Sequence, residues 1–256
     1  MNLYGRQTYL MGFVSAILVL LLTSGCLMRD LPDVGMLNGH YPVIQHRGRD
    51  LPFKVKLQKQ IPSGWTRLSD ISKFAIGAVV VSEDWAFYQH NGFDMNQIKE
   101  AAKEDLAKGR FVRGASTITQ QVVRNIFLDK DKNIWRKLRE IWLAMQLEKK
   151  LSKSRILEIY FNIAEWGDGL FGIGDASRRY FNKEPRDLTA KEGAFLAMLL
   201  PSPRRYSQSF RNGQLTAYAR ETTESVLKKM VQAHYLTEDE MVAELGSTLS
   251  FEKTIK

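Results

Sequence analysis

The stretch SEDWAFYQHNGFD, residues 82–94, directly follows an apolar run at residues 74–81, with no turn residue between the two. It places two carboxylates, Glu83 and Asp84, at the end of a segment whose composition predicts burial. A carboxylate at the edge of an apolar core is partly desolvated, which raises its pKa and makes it a better general base. Glu83 is therefore a candidate catalytic base. The more common interpretation of such a pair, acidic residues in the first turn of a helix, stays open on these residues alone.

Length and composition are those of one globular domain with a basic surface. The chain has 256 residues, of which 44% are hydrophobic and 25% charged. Lys and Arg number 37 against 28 Asp and Glu, a net charge of +9. This excess predicts a polyanionic partner, which could be nucleic acid, an anionic membrane surface or a phosphate-rich substrate. The single cysteine, Cys26, excludes an internal disulfide and a cysteine-based metal cluster.

The N-terminal part of the chain predicts a membrane anchor. Residues 9–28 contain no charge, and twenty residues of helix at about 1.5 Å each can cross a bilayer. Because Arg6 precedes this segment, residues 1–8 are expected in the cytoplasm and the bulk of the chain outside it. The alternative is a lipoprotein processing site at residues 22–26, with Cys26 lipidated. Thr23 replaces the Leu that is usual three positions before such a cysteine, so we favour the uncleaved anchor.

The rest of the sequence predicts a linker followed by a mainly helical domain. Residues 29–60 carry Pro and Gly with little periodicity and are interpreted as a linker, with a short strand at 54–58 where apolar and polar residues alternate. From residue 69 onward the pattern is almost wholly helical, with a tight glycine-rich loop at 167–174. The predicted helices cover residues 74–85, 95–108, 135–151, 152–162, 176–181 and 190–200, followed by two peripheral ones at 215–234 and 237–245. A further helix is predicted to begin within the segment 114–125.

The segment GASTITQQVVRN, residues 114–125, combines a helix start with potential anion ligands. Thr117 and Gln120 have the spacing of a capping box, so a helix is expected to begin there. Its free backbone N–H groups, the hydroxyls of Ser116 and Thr117 and the guanidinium of Arg124 could together hold a phosphate. A well-capped helix without any ligand is an equally good interpretation of these residues.

The helix predicted at 135–151 is amphipathic. One side carries Trp135, Leu138, Ile141, Trp142 and Met145. Arg136, Arg139 and Glu140 lie roughly opposite, and Arg136 can pair with Glu140 four residues later. This polar side is either a solvated ion pair on a surface helix or the wall of a cleft that holds an anion, where Lys137 would add charge.

In this order and spacing, these segments resemble the membrane-anchored monofunctional peptidoglycan glycosyltransferases, the family shared with the glycosyltransferase module of bifunctional penicillin-binding proteins. The similarity covers residues 69–206. The matching residues are Glu83 and Asp84 with Phe87, His90, Gly92 and Asp94; Gly114 with Ser116, Thr117, Ile118, Thr119, Gln120, Gln121 and Asn125; Arg136 and Lys137 with Glu140; Ile156, Leu157 and Glu158 with Tyr160 and Asn162; Gly172 and Ile173 with Tyr180 and Phe181; and the segment 188–203 with its Pro-Ser-Pro end.

The resemblance implies a mainly α, lysozyme-like helical domain with a large lobe and a smaller membrane-facing jaw, preceded by one transmembrane helix. The glycosyltransferase domain would be residues 61–210, with C-terminal helices at 211–256 packed on it. We nominate residues 106–127 as the exposed apolar surface of the jaw. The protein is then expected in the bacterial cytoplasmic membrane as a single-pass protein, with its catalytic domain outside the cytoplasm.

The implied reaction is polymerisation of lipid II into glycan strands, with an acceptor sugar hydroxyl displacing undecaprenyl pyrophosphate with inversion. By resemblance, Glu83 is the general base and Glu140 the second essential acid. Because pyrophosphate is already a good leaving group, positive charge replaces the general acid used in glycoside hydrolysis. Lipid II, the growing strand, the membrane and other cell-wall synthesis proteins are the expected partners, and nucleic acid is not.

By resemblance, two further groups of residues serve the site. The expected substrate-binding residues are Ser116, Thr117, Gln120, Gln121, Arg124, Arg136, Lys137 and Arg139. The expected structural supports are Asp84, Phe87, His90, Asp94, Asn125 and Asn162. Arg124 stands where many family members have Lys, and both are cationic phosphate ligands of different geometry. A divalent cation such as magnesium often assists in this family without a fixed protein site, and no organic cofactor is implied.

The sequence leaves two alternative functions open, a lytic enzyme and a non-catalytic scaffold. A lysozyme-like lytic enzyme acting on finished peptidoglycan would also need a buried Glu, but it has no use for a cationic cluster beside it. A membrane-tethered cationic scaffold without catalysis would tolerate loss of Glu83. Ser225 and Lys228 fit the Ser-x-x-Lys motif of a transpeptidase. The sequence contains no Ser-Asp-Asn or Lys-Thr-Gly motif to accompany it, so a transpeptidase function is excluded.

Overall fold

A computed structural model describes residues 31–45, 53–108, 116–129 and 133–253. The predicted cytoplasmic N-terminus at 1–8, the predicted anchor at 9–28 and Cys26 lie outside these ranges. Among the described residues, no helix combines the length and the apolar composition that a membrane crossing requires.

The described chain is mainly helical, which confirms the predicted class; the division into a lobe and a jaw stays a prediction. The α-helices are α1 (Lys73–Glu83), α2 (Met95–Lys108), α3 (Ile118–Phe127), α4 (Ile134–Lys150), α5 (Lys153–Ile163), α6 (Ile173–Phe181), α7 (Ala190–Leu199), α8 (Pro203–Tyr206), α9 (Gln208–Asn212), α10 (Ala217–Gln232) and α11 (Glu238–Gly246). The strands are β1 (Tyr41–Gln45), β2 (Lys54–Gln58), β3 (Glu165–Gly167) and β4 (Leu170–Phe171). Short 3-10 helices cover Val34–Asn38, Leu68–Asp70 and Pro185–Asp187.

The centre of the core is the packing of α1 against α7 and α10. Gly193 of α7 lies against the backbone of α1, since a Cβ at this position would be 2.8 Å from the Cα of Ala75. The absence of a side chain therefore lets the two helices approach closely. Val226, Leu227 and Met230 of α10 are buried in the same core. The prediction of peripheral C-terminal helices is thus wrong for α10, which forms one side of the core.

Helix α1 ends at the two carboxylates of the motif. Ser72 begins the helix by accepting a hydrogen bond from the Phe74 N–H. Asp84 ends it in a non-helical conformation, with φ −158° and ψ 75°. The interpretation of Glu83 and Asp84 as first-turn acids is therefore wrong, because they lie at the C-terminal end. Negative charge is unfavourable there beside the helix dipole, so helix stability does not explain these residues.

The predicted starts of α3, α5 and α7 are confirmed by their caps. Ser152 accepts from the Arg155 N–H, and Thr189 forms a complete capping box with Glu192. Thr117 likewise accepts from the Gln120 N–H at 3.2 Å. The capping box expected at Thr117 is only half formed, because the Gln120 side chain donates to the Gly92 carbonyl instead.

The described part of the predicted linker is folded onto the domain. Val34 and Leu37 of the first 3-10 helix are buried, and this segment contacts α4. β1 pairs antiparallel with β2, which confirms the strand predicted at 54–58. A second small hairpin, β3 with β4, lies where only a glycine-rich loop was predicted.

Candidate active site

Glu83 is a half-buried carboxylate at the end of α1. Its Oε2 accepts a hydrogen bond of 2.7 Å from Nε2 of Gln121 on α3. Burial raises the pKa of Glu83, and the Gln121 hydrogen bond and the charge of Arg124 oppose that rise. A carboxylate with a raised pKa and one fixed oxygen is suited to accept a proton near neutral pH.

Asp84 has a different environment from its neighbour and ties α1 to α3. It is completely buried and accepts hydrogen bonds of 2.9 Å from Nε2 of His90 and from the Ile118 N–H. Nδ1 of His90 accepts a hydrogen bond from the Gly92 N–H at 3.2 Å. The ring proton is therefore on Nε2, which donates it in a hydrogen bond to Asp84. These bonds fix the loop that follows Glu83. The side chains of Asp84 and His90 are buried among these contacts, and their role as supports of the site stays a prediction.

Two other predicted support residues, Phe87 and Asp94, belong to the same loop between α1 and α2. Phe87 is completely buried, and Nζ of Lys153 lies 4.3 Å from its ring centroid. Lys153 also donates to the His90 carbonyl at 2.7 Å. Asp94 accepts from the backbone N–H groups of Asn96 and Gln97, at 2.8 and 3.1 Å, at the start of α2.

Glu140 is the centre of a buried ionic cluster. Its side chain is 0% exposed, with Oε1 2.6 Å from Nζ of Lys137 and Oε2 2.6 Å from Nη1 of Arg136. Lys137 also donates to Oγ of Ser116 and to Oε1 of Gln120, both at 2.9 Å. The predicted pairing of Arg136 with Glu140 is confirmed, but the interpretation as a solvated surface pair is wrong. The cluster instead holds α4 against the start of α3.

Helix α3 joins the two carboxylate sites through consecutive residues. Gln121 contacts Glu83, and Gln120 contacts Lys137, which in turn holds Glu140. Two adjacent residues of α3 therefore contact the candidate base at the end of α1 and the cationic cluster on α4.

Thr117 and Gln120 are used inside the protein. Both are buried, and they donate to the Gly92 carbonyl at 2.8 and 3.2 Å respectively. Gly92 has φ +96°, and a Cβ there would be 2.8 Å from the carbonyl carbon of Ala144 on α4. Their substrate-binding role stays a prediction, because the structure gives them bonds that position the loop and α3.

The remaining predicted residues divide between cationic ligands and supports. Arg124 and Arg139 are half-buried, and the buried Nε of Arg139 has no hydrogen-bond partner among the described residues. Asn125 is half-buried near the end of α3. Asn162 accepts from the Thr66 N–H and donates to the Thr66 carbonyl, both at 2.8 Å, so it fixes the chain before α1 and contacts neither carboxylate site.

Two contributors to the site carry no local sequence signal for their roles. The Tyr160 hydroxyl lies 3.3 Å from Oε1 of Gln121, and the resemblance placed Tyr160 in a motif without a function. Lys153 forms an ion pair of 2.7 Å with Glu148, which also accepts from Thr119 at 2.6 Å. These contacts join α3, α4 and α5, and spacing along one helix cannot reveal them.

The apolar side of α4 faces outward. We call its Ile134, Trp135, Leu138 and Trp142 the exposed face of α4; their exposed fractions are 66, 54, 43 and 39%. The nomination of residues 106–127 as the exposed apolar surface is wrong for α3, because Ile118, Val122 and Val123 are buried. Amphipathic periodicity identifies a stripe on a helix but not whether the stripe faces the core.

No group of three or more His, Cys, Asp or Glu residues is placed to hold a metal ion within the described ranges. A magnesium ion held by the pyrophosphate of a substrate, and not by the protein, stays a prediction.

Comparison with known proteins identifies the family. The sequence model of the transglycosylase family matches residues 53–231, from β2 to the end of α10. The chain is 40% identical to a biosynthetic peptidoglycan transglycosylase of Nitrosospira multiformis over 169 residues, which is 66% of this chain and 72% of the relative. Proteins of the same name from Nitrosomonas eutropha and Aromatoleum aromaticum are each 42% identical over 156 residues, 61% of this chain and 64 and 67% of those relatives. The chain therefore belongs to the transglycosylase family, the family of peptidoglycan glycosyltransferases.

Proposed function

We propose that this chain polymerises lipid II into glycan strands, with Glu83 as the base that activates the acceptor hydroxyl. The observation that carries the proposal is the contrast between neighbouring carboxylates. Burial raises the pKa of Glu83, and Gln121 fixes one of its oxygens. Asp84 is fully buried among protein donors. Only the first of the two is therefore placed to exchange a proton with a substrate.

The reaction balances with one base. The acceptor hydroxyl oxygen forms a bond to the anomeric carbon of the donor, and the bond from that carbon to the pyrophosphate oxygen breaks, with inversion. The hydroxyl proton passes to Oε1 of Glu83, while Oε2 keeps its hydrogen bond to Gln121. The pyrophosphate departs as an anion, so the site must stabilise negative charge and need not supply a second proton.

We propose Arg124, Arg136 and Arg139 as the groups that receive this charge. Arg139 has a buried Nε–H without a partner in the described part of the chain, a donor that a phosphate oxygen would satisfy. Arg136 commits Nη1 to Glu140 and has further N–H donors. Support for this arrangement comes from the family match and from α3, where Gln121 contacts Glu83 and Gln120 contacts Lys137 of the cationic cluster.

Glu140 acts in this proposal as a positioning residue. Both of its oxygens are held at 2.6 Å by cations and its side chain is completely buried, so it holds Arg136 and Lys137 and does not touch the substrate. Glu140 can still be the second essential acid that the resemblance implies, but it acts by holding the cations and not by direct contact with the substrate. It also argues against a lysozyme-like hydrolase of the kind that uses a second carboxylate facing the sugar.

We further propose that the exposed face of α4 lies against the membrane in which lipid II resides. Aromatic and aliphatic side chains exposed together on one helix side are typical of membrane-surface contacts. The predicted anchor at residues 9–28 would keep the domain at that surface.

The test is polymerisation of labelled lipid II with magnesium by the purified full chain, with glycan products separated on a gel. Wild type should make long strands and Glu83→Gln none, while circular dichroism shows both folded. Glu240→Gln, which alters an exposed carboxylate on α11, is the matched control and should retain activity. Degradation of preformed glycan without polymerisation would establish the lytic function, and full activity of Glu83→Gln would refute the assigned base.

A further inference from the structure

We propose that Tyr160 is a positioning residue for the catalytic base: its hydroxyl orients the side-chain amide of Gln121 so that the amide presents an N–H to Glu83. The inference rests on the proposed function of Glu83. Tyr160 on α5 thereby joins the hydrogen-bonded pair of Glu83 on α1 and Gln121 on α3.

The geometry forms a directional chain of hydrogen bonds. The Tyr160 hydroxyl is 3.3 Å from Oε1 of Gln121, and Nε2 of the same amide is 2.7 Å from Oε2 of Glu83. An amide oxygen only accepts, so the tyrosine hydroxyl is the donor in this pair. If the amide turned over, its oxygen would face the carboxylate and its N–H₂ would face the phenol. Ionised Glu83 can only accept, so it requires the amide N–H on its side, and the Tyr160 hydroxyl strengthens this orientation by donating to the amide oxygen on the other side.

Tyr160 acts through Gln121 and not on the substrate. Its side chain is 1% exposed, inside the core beside Phe161. Burial raises the pKa of Tyr160 well above its ordinary value, and the negative charge of Glu83 raises it further. The hydroxyl consequently keeps its proton, and remains a donor, at every pH at which the enzyme would work.

The other charges around Glu83 do not depend on the tyrosine hydroxyl. Asp84 on the same segment raises the pKa of Glu83, whereas Arg124 on α3 and Lys229 on α10 lower it. Tyr160→Phe leaves all of these in place and removes one donor. A change in the titration of Glu83 in this variant therefore reports the orientation of the amide.

The first test compares Tyr160→Phe with wild type in the full chain. The pKa of Glu83 should rise by about 0.5 to 1 unit when the amide hydrogen bond is lost for much of the time. The acidic limb of the kcat/KM profile for lipid II should move up by the same amount. Tyr180→Phe is the matched control: Tyr180 is also buried, but its hydroxyl donates to the Trp166 carbonyl at 2.8 Å. That variant should leave the profile unchanged.

A second readout does not depend on turnover. Carbon-13 NMR of protein labelled at glutamate carboxyls follows the ionisation of Glu83 directly, with Glu83→Gln used to identify its signal. If the chain fails to polymerise lipid II, this titration still tests the positioning role separately from the proposed function.

A double-variant experiment tests the route of the effect. Gln121→Ala alone should raise the pKa of Glu83, and adding Tyr160→Phe should then produce no further shift. The proposal is overturned if Tyr160→Phe leaves the Glu83 titration unchanged, if it acts equally in the Gln121→Ala background, or if Tyr180→Phe produces the same shift.

Discussion

Glu140→Gln removes the charge that two cations share inside the protein, and we expect it to destabilise the fold. Glu140 is 0% exposed, whereas the side chains of its partners Arg136 and Lys137 are 19 and 34% exposed. Breaking a fully buried ion pair costs about 3–5 kcal/mol, because the remaining charge stays desolvated. Since the two cations retain part of their hydration, we expect a smaller loss, about 2–3 kcal/mol.

The assay is thermal unfolding of the full chain in detergent, followed by circular dichroism. For a domain of this size, each kcal/mol shifts Tm by about 2–4 °C, so Tm should fall by about 4–12 °C. Glu224→Gln is a matched control, since Glu224 forms an i,i+4 pair with Lys228 in which both side chains are exposed. Its Tm should change by only about 1–2 °C, because exposed pairs contribute little.

Removing one of the excess cations should repair part of the damage. In the variant that combines Glu140→Gln with Lys137→Met, one unpaired charge is gone, and we expect Tm to recover toward the wild-type value. Two results would refute this account of the cluster. One is an unchanged Tm for Glu140→Gln, and the other is a double variant whose Tm falls by the full sum of the two single changes.

Further predictions concern the base, the loop and the exposed face of α4. Burial raises the pKa of Glu83 above its ordinary 4.5, so wild type loses stability as the pH rises from 4.5 through the raised pKa of the folded state. Glu83→Gln should therefore be more stable than wild type at pH 7 but not at pH 4. An equal difference in Tm at both pH values would contradict this. Gly92→Ala should destabilise the protein by about 2–4 kcal/mol, because it adds a strained φ and a close contact with Ala144; an unchanged urea midpoint would contradict it. Combining Trp135→Ser with Trp142→Ser should lower polymerisation in lipid vesicles several-fold but not in detergent, and equal losses in both media would argue against membrane contact.

Much of the helical framework follows from local sequence. Helices α5 and α7 begin within one residue of the predicted positions 152 and 190, and Arg136 pairs with Glu140 at the expected spacing. These relations hold because three or four residues along a helix fix the distance between side chains whatever surrounds them. The motif order likewise predicted that Glu83 and the cationic residues serve one site.

The environment of each residue did not follow from spacing. Asp84 is buried and accepts from the Ile118 N–H, 34 residues away, and Glu140 is buried beside Lys137, which also donates to Ser116 and Gln120. Nothing within either local motif distinguishes a buried carboxylate from an exposed one. The local pattern therefore gave Glu83 and Asp84 the same interpretations, and only the family resemblance assigned them different roles.

The sequence by itself determined the helical class of the domain, and it predicted which residues carry the chemistry and that their site is basic. Only the tertiary structure decided that Glu83 is half-exposed, that Glu140 is buried between two cations, and which side of α4 faces outward. The physical reason is that desolvation and charge pairing depend on segments that are distant in the chain, and these meet only when α1, α3, α4 and α5 pack together.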